Sequence, residues 1–325
     1  MAPRSASVVS GREDRLVSSL ITLMEKGTTP WRREWESSGG HHVNLFTGRA
    51  YRGANPILLT LGLHQRGTCL PYWCGAAEAR AHGLVPRQGS RAVHVLRPQV
   101  KRRPPAPRKP ASPAPPAPEA ERDGTIWVRY VPVGLFNAAD LEGEALQELI
   151  TARRDAETLH SRPEPTRLAG AETTLCRWPV PVLQGGSSAF YNPLTDRIHL
   201  PDRKAFHSGA AFYATWAHEA IHSTGHPSRL GRDLSGVMGS STYATEELVA
   251  ELGAVLLGDR LEIGSNVGNH AAYLADWIRL LQHSPQLLYK LLSAARRAAD
   301  LICPPTDPPG GEKRSVTTPA DLVGG

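Results

Sequence analysis

Thr215-Trp216-Ala217-His218-Glu219-Ala220-Ile221-His222-Ser223-Thr224-Gly225-His226 is the stretch on which the reading of this chain turns. The spacing of apolar residues predicts a helix over 210–224, and an i, i+4 pair on it puts His218 and His222 on one face. Both imidazoles can then reach a single ion, with Glu219 beside them and aimed at a water. Two histidines do not hold a catalytic zinc ion, which takes three protein ligands and keeps a fourth position open. A second strong helix, over 243–257, carries Glu246, Glu247 and Glu251 in an otherwise apolar sequence. Glu247 and Glu251 share a face, and a carboxylate turned into an apolar core needs a cation beside it. Glu246 is expected in solvent. His226 stands between Gly225 and Pro227, past the helix end, and is expected to be structural.

Around these two helices the second half of the chain reads as mainly helical with a small sheet. Residues 188–200 alternate apolar and polar residues about a turn at Asn192-Pro193, which predicts a hairpin. Residues 271–302 supply one or two more helices, interrupted near Pro285. In the first half, Leu16, Leu20, Ile21, Leu23 and Met24 fall close to helical spacing, with Gly27 as the cap. An irregular segment follows, in which Trp31, Trp35 and Tyr51 alternate with Arg32, Arg33, Arg49 and Arg52, and then the apolar run 57–63. A short helix over 76–82 precedes a strand at 92–96, whose expected partner is 126–133.

Nine prolines lie between Pro98 and Pro118 among Lys101, Arg102, Arg103, Arg108 and Lys109, so an extended, solvated insertion over 98–122 is expected. The organisation that follows is a disordered stretch at 1–10, an α+β domain over 11–143, a hinge over 144–170, a second domain over 171–302 and a flexible tail over 303–325. The chain of 325 residues is 40% hydrophobic and 21% charged, which excludes global disorder and supports about two compact units. A net charge of +6 permits a polyanionic partner. Cys69, Cys74, Cys176 and Cys303 form no C-x-x-C pair, so a disulfide framework is not expected and a reducing cytoplasm fits. No window approaches the roughly 18 apolar residues of a membrane span.

With those residues in place, the chain resembles the ArdC-type antirestriction proteins of mobile elements, which join an N-terminal single-stranded-DNA-binding domain to a zincin-like metallopeptidase domain. In the first half the resemblance rests on Leu23-Met24-Glu25-Lys26-Gly27-Thr28, Pro30-Trp31, Asn44, Thr47-Gly48, Tyr51-Arg52-Gly53-Ala54-Asn55 and Leu135-Phe136-Asn137. In the second it rests on Ala189-Phe190-Tyr191, Asp196, Thr215 to Glu219, Thr224-Gly225-His226, Arg229-Leu230 and Glu246 to Ala254. It implies an α+β chain of two domains: an α+β unit that binds single-stranded DNA, and a mainly helical zincin-like unit with a small β-hairpin. It also implies Zn2+ held by His218, His222 and Glu247, with Glu251 as the alternative third ligand, and Glu219 as the general base. Tyr243, His270 and Tyr273 are candidates by residue type for the donor to a developing oxyanion.

For the DNA contacts, Trp31, Arg32, Arg33, Arg49, Tyr51, Arg52 and Asn55 are the candidates, because bases stack on rings while cations follow phosphates. Trp73 reads instead as a core anchor. Two functions follow. One is a two-function enzyme that binds single strands and cleaves a protein or peptide. The other is a non-catalytic protein that shields DNA and whose zinc site is structural. Neither calls for a membrane.

Overall fold

The computed structural model describes residues 16–18, 20–27, 29, 31, 40–102, 126–265 and 271–305. The expected disordered start, most of the proline-rich insertion and most of the tail lie outside these residues. Among them no helix is long and apolar enough to cross a membrane.

In the first half, a four-stranded sheet has the order β1-β2-β5-β4, built from β1 (Val43–Asn44), β2 (Tyr72–Cys74), β4 (Val93–Arg102) and β5 (Ile126–Asn137). β4 and β5 are antiparallel and paired from Val93↔Leu135 to Arg102↔Ile126. The strand therefore runs four residues beyond Pro98, and the insertion starts later than the proline count implied. Pro98 is tolerated because β4 is an edge strand of the sheet. Helix α1 (Asn55–Arg66) lays Leu59 and Leu63 against Trp73, Val93 and Val95. Trp73 is fully buried, as expected, and its indole donates to His42 Nδ1 at 3.0 Å. Helix α2 (Ala76–Ala81) and a two-stranded ladder, β3 (Val85–Pro86) with β6 (Leu141–Glu142), complete this half.

The expected hinge is largely helical. Residues 144–170 run as helix α3 (Leu146–His160) and the start of α4 (Glu164–Cys176). Arg153 on α3 donates to the carbonyls of Leu45 and Phe46, fastening it to the first half. Arg167 on α4 donates to the carbonyl of Glu262, fastening it to the second. Only Ser161 to Pro163 separate the two helices, too short a polar stretch to mark a flexible linker by composition.

In the second half, the hairpin of β8 (Phe190–Asn192) and β9 (Arg197–Leu200) joins β7 (Val182–Gln184) in a small sheet of order β7-β9-β8. Four helices carry the main core: α5 (Gly209–Ser223), α6 (Ser241–Leu261), α7 (Ala271–His283) and α8 (Leu287–Ile302). Ser208 caps α5 and Ser240 caps α6, each accepting from a backbone N–H at 3.1 Å. Residues 16–18 and 20–25 are helical, as their spacing predicts, but Val17, Leu20, Met24 and Trp31 join this second core and not the first. The N-terminal segment thus reaches across the chain to the helices of the second half.

Helices α5 and α6 meet at Gly253, where an added Cβ would lie 2.7 Å from Ile221 Cγ2. Gly253→Ala gains about 1 kcal/mol of helix propensity, against about 1–3 kcal/mol for overpacking a filled core. Ile221 is fully buried, so overpacking wins. A net loss of about 1 kcal/mol is expected, read as a lower urea midpoint with an unchanged slope.

Candidate metal centre

Helix α5 presents His218, Glu219 and His222 to one cleft, and α6 brings Glu246 and Glu247 to its other wall. The cleft has a volume of about 840 Å³ and is also lined by Phe190 and Tyr191 of β8, Phe206, Leu234 and Tyr243. Nε2 of His218 and Nε2 of His222 are 3.2 Å apart. Glu247 points between them, one oxygen 3.7 Å from His218 Nε2 and the other 3.5 Å from His222 Nε2. Ligand atoms of His218, His222 and Glu247 all lie within 4.8 Å of one another. Two imidazoles and a carboxylate, buried and convergent, are a donor set that fits a divalent transition metal.

The far side of each imidazole faces another carboxylate. His222 Nδ1 lies 3.1 Å from Glu246 Oε1, and Arg232 grips both oxygens of Glu246 at 2.8 Å. Glu246 is thus buried and paired, correcting the expectation that it sits in solvent. Its partner Arg232 lies in the loop after α5 and also donates to Thr224 Oγ1 and to the carbonyl of Ile221. No spacing rule connects Arg232 to Glu246, so the pair was invisible in sequence. Glu251 Oε2 stands 3.9 Å from His218 Nδ1, behind the ring, and so outside the three-residue cluster. His226 turns to Ser228 Oγ, 2.7 Å away, beyond the helix end.

The electrostatics follow from this crowding. Burial opposes protonation of His222, but hydrogen bonding to Glu246 and the charges of Glu247, Glu246 and Glu219 outweigh it and raise its pKa to about 9. Burial would also raise the pKa of Glu247, yet the two imidazoles and a hydrogen bond from Tyr243 pull it down to about 2. Without an ion, protonated histidine supplies the positive charge that the carboxylates require. Of the candidate oxyanion donors, Tyr243 lines the cleft, His270 lies outside the described residues, and nothing is described of the Tyr273 side chain.

The DNA-binding candidates divide. Trp31 is 1% exposed, packed 5.5 Å from Trp277, and cannot stack on a base. Asn55 spends its amide on the backbone of Leu96, donating at 3.0 Å and accepting at 2.8 Å, and so ties α1 to β4. The Trp31 assignment is corrected, since irregular backbone in the sequence gave no sign of what would cover it. Arg32, Arg33 and Trp35 lie outside the described residues. Arg49 and Arg52 are exposed, while Tyr51 is half-buried and donates its hydroxyl to the Trp73 carbonyl at 3.4 Å. Burial pushes the Tyr51 phenol up to about 12.

Asn44 and Thr47-Gly48 prove to be turn chemistry. Asn44 Oδ1 accepts from the backbone N–H groups of Phe46 and Thr47, and Gly48 takes a positive φ of 67°. Tyr51, Arg52 and Asn55 line a cavity of about 1650 Å³ that sequence did not foreshadow. Its other walls come from Arg91, His94 and Tyr130 of the β4–β5 region and from Tyr289, Arg296 and Cys303 of the last helix and its end.

Fold and site together define a two-domain α+β protein whose second domain carries a zincin-type pair of helices. The comparisons agree. The profile for the N-terminal domain of anti-restriction factor ArdC matches residues 12–127, and that for a zincin-like metallopeptidase domain matches residues 169–297. The metal-free crystal structure of antirestriction protein ArdC from plasmid R388 is similar, with TM-score 0.63 and 28% identity over 89% of this chain and 96% of that one. The Mn(II)-bound form of that protein gives a TM-score of 0.60. A DNA primase TraC of Escherichia coli is 32% identical over 91% of this chain, and the chain spans only 27% of that relative's length. Protein y4eC of Sinorhizobium fredii is 29% identical over 88% of this chain and 90% of its own. The chain belongs to the ArdC-type antirestriction proteins: an ArdC N-terminal domain followed by a zincin-like metallopeptidase domain.

Proposed function

We propose that this chain is a zinc-dependent peptide hydrolase joined to a single-stranded-DNA-binding domain, acting in antirestriction. The observation that carries the hydrolytic half is the convergence of His218, His222 and Glu247 beside Glu219 in an open cleft. A divalent ion held by the three residues supplies Lewis acidity for attack on a carbonyl. Glu219, in the cleft and outside the ligand cluster, takes the proton of the attacking water and returns it to the leaving amine. Arg232, through Glu246, holds His222 with its Nε2 towards the ion. Two imidazoles and a carboxylate favour zinc, and manganese is a second candidate because a Mn(II)-bound form exists for the R388 protein.

The DNA half rests on the larger cavity between the halves of the chain. Arg52, Arg91 and His94 are exposed around it and Tyr130 is 46% exposed, so cations and a ring are available for phosphates and a base. The test of both halves is metal titration of the full chain, followed by peptide hydrolysis with and without an oligonucleotide. Arg52→Ala with Arg91→Ala is expected to weaken oligonucleotide binding and to flatten its log–log salt dependence by about 1.4, at ~0.7 per lost phosphate contact. Equal slopes in variant and parent would remove this cavity as the binding face. Hydrolysis that is absent with metal and DNA both present would leave DNA shielding as the function, with a structural metal.

A further inference from the structure

We infer that Trp31 is a positioning residue for the metal centre, acting through Glu251 on the ligand His218. The indole Nε1–H of Trp31 donates to Glu251 Oε1 at 3.1 Å, between residues 220 positions apart in the chain and both 1% exposed. The other oxygen of Glu251 lies 3.9 Å behind His218 Nδ1, while the Nε2 of that ring faces His222 and Glu247. The carboxylate thus favours the tautomer with its proton on Nδ1 and leaves Nε2 as a lone-pair donor towards the ion. An indole is a donor only, so it orients the carboxylate without competing for the imidazole proton.

The two histidines are therefore supported in parallel ways from different parts of the chain. Behind His222 stand Glu246 and then Arg232, all within 25 residues of sequence. Behind His218 stand Glu251 and then Trp31, and Trp31 belongs to the N-terminal segment. The indole is fixed in turn by its packing on Trp277, whose own N–H donates to the Ala244 carbonyl of α6 at 3.2 Å. Seating of the N-terminal segment and metal affinity are then linked equilibria, and each strengthens the other by the same factor. The indole does more than fill a core, because its N–H is aimed at the carboxylate of α6 that backs His218 without joining the cluster.

This inference rests on the metal reading above, and the experiment separates the two. Zinc and manganese affinities of the full chain are measured by competition with a chromogenic chelator, and the Co2+-loaded protein is recorded by visible absorption. Trp31→Phe keeps a ring in the core and removes the donor. It is expected to bind metal about tenfold more weakly and to shift the Co2+ bands. Glu251→Gln is expected to do the same, and it serves the test if the Trp31 variant does not fold. The double variant is expected to be no weaker than Glu251→Gln alone, since both changes break one relay. A parent chain that binds neither metal overturns the metal reading itself. A parent that binds, with Trp31→Phe equal to it in affinity and spectrum whatever its melting temperature, overturns the relay. Fully additive losses in the double variant overturn it too.

Discussion

His222→Ala protein is expected to purify without metal and to bind zinc or manganese far more weakly than the parent, by more than the roughly 10–100-fold that loss of an outer partner causes. The change removes one of three donor atoms, and nothing in the cleft can replace it. Glu246, the nearest carboxylate, is held by both its oxygens on Arg232, 2.8 Å away, and would have to give up that pair to move in. Glu251 is held on the indole of Trp31 behind the other histidine. Metal content after purification and a chelator-competition titration read the effect, and parent-like affinity would dismiss the three-residue cluster as the site. The same geometry sets a pH dependence in the parent. The pKa of His222 is raised from its usual 6.5 to about 9 in the metal-free protein, so below that pH an incoming ion must displace a proton. Affinity is expected to rise with pH up to about 9 and then to level off.

The parts of this centre legible in sequence were those governed by helical spacing. His218 and His222 are four residues apart, and Glu247 and Glu251 repeat that interval on the next helix, so periodicity alone placed them on facing surfaces. Periodicity could not say which of the two glutamates reaches the histidines at Nε2 and which stands behind a ring, because that depends on how α5 and α6 cross. The crossing is set by the close approach at Gly253, a contact between residues 32 positions apart. Glu246 was misread for a related reason. A carboxylate off the common face reads as solvated unless its cation is known, and Arg232 sits in a loop with no periodic pattern. Among the strands, alternation found the β8–β9 hairpin and the β4–β5 pair, with bounds shifted by up to several residues. The helices within the expected hinge were not read from sequence, although Pro163 caps α4 and Pro165 sits in its first turn, where a missing N–H costs nothing. Trp31 shows the limit most plainly. Its neighbours Arg32 and Arg33 argued for a nucleic-acid face, but the indole is drawn 220 residues away by a buried carboxylate that only the folded chain brings near.

Glu219→Gln is expected to lower peptide hydrolysis by about 10²–10⁴-fold while leaving metal affinity and oligonucleotide binding near those of the parent. The amide is nearly the same size as the carboxylate, so the well-packed wall of α5 is preserved, and Glu219 is not among the three clustered donors. What is lost is the capacity to accept a proton beside the attacked carbonyl, which no other group in the cleft supplies equally well. Glu247 is one of the three clustered donors and is committed to the ion. Glu246 is committed to Arg232. In the metal-free protein the charge of Glu219 favours protonated His222, so rate and melting temperature are both compared on metal-saturated protein, which keeps a loss of rate from being read as a loss of fold. Hydrolysis at the parental rate, measured on metal-saturated protein, would reject Glu219 as the base. If hydrolysis is lost and protection of incoming DNA persists, the peptidase reaction is separable from antirestriction. The single-strand binding proposed for the cavity between the two halves would then account for protection by itself.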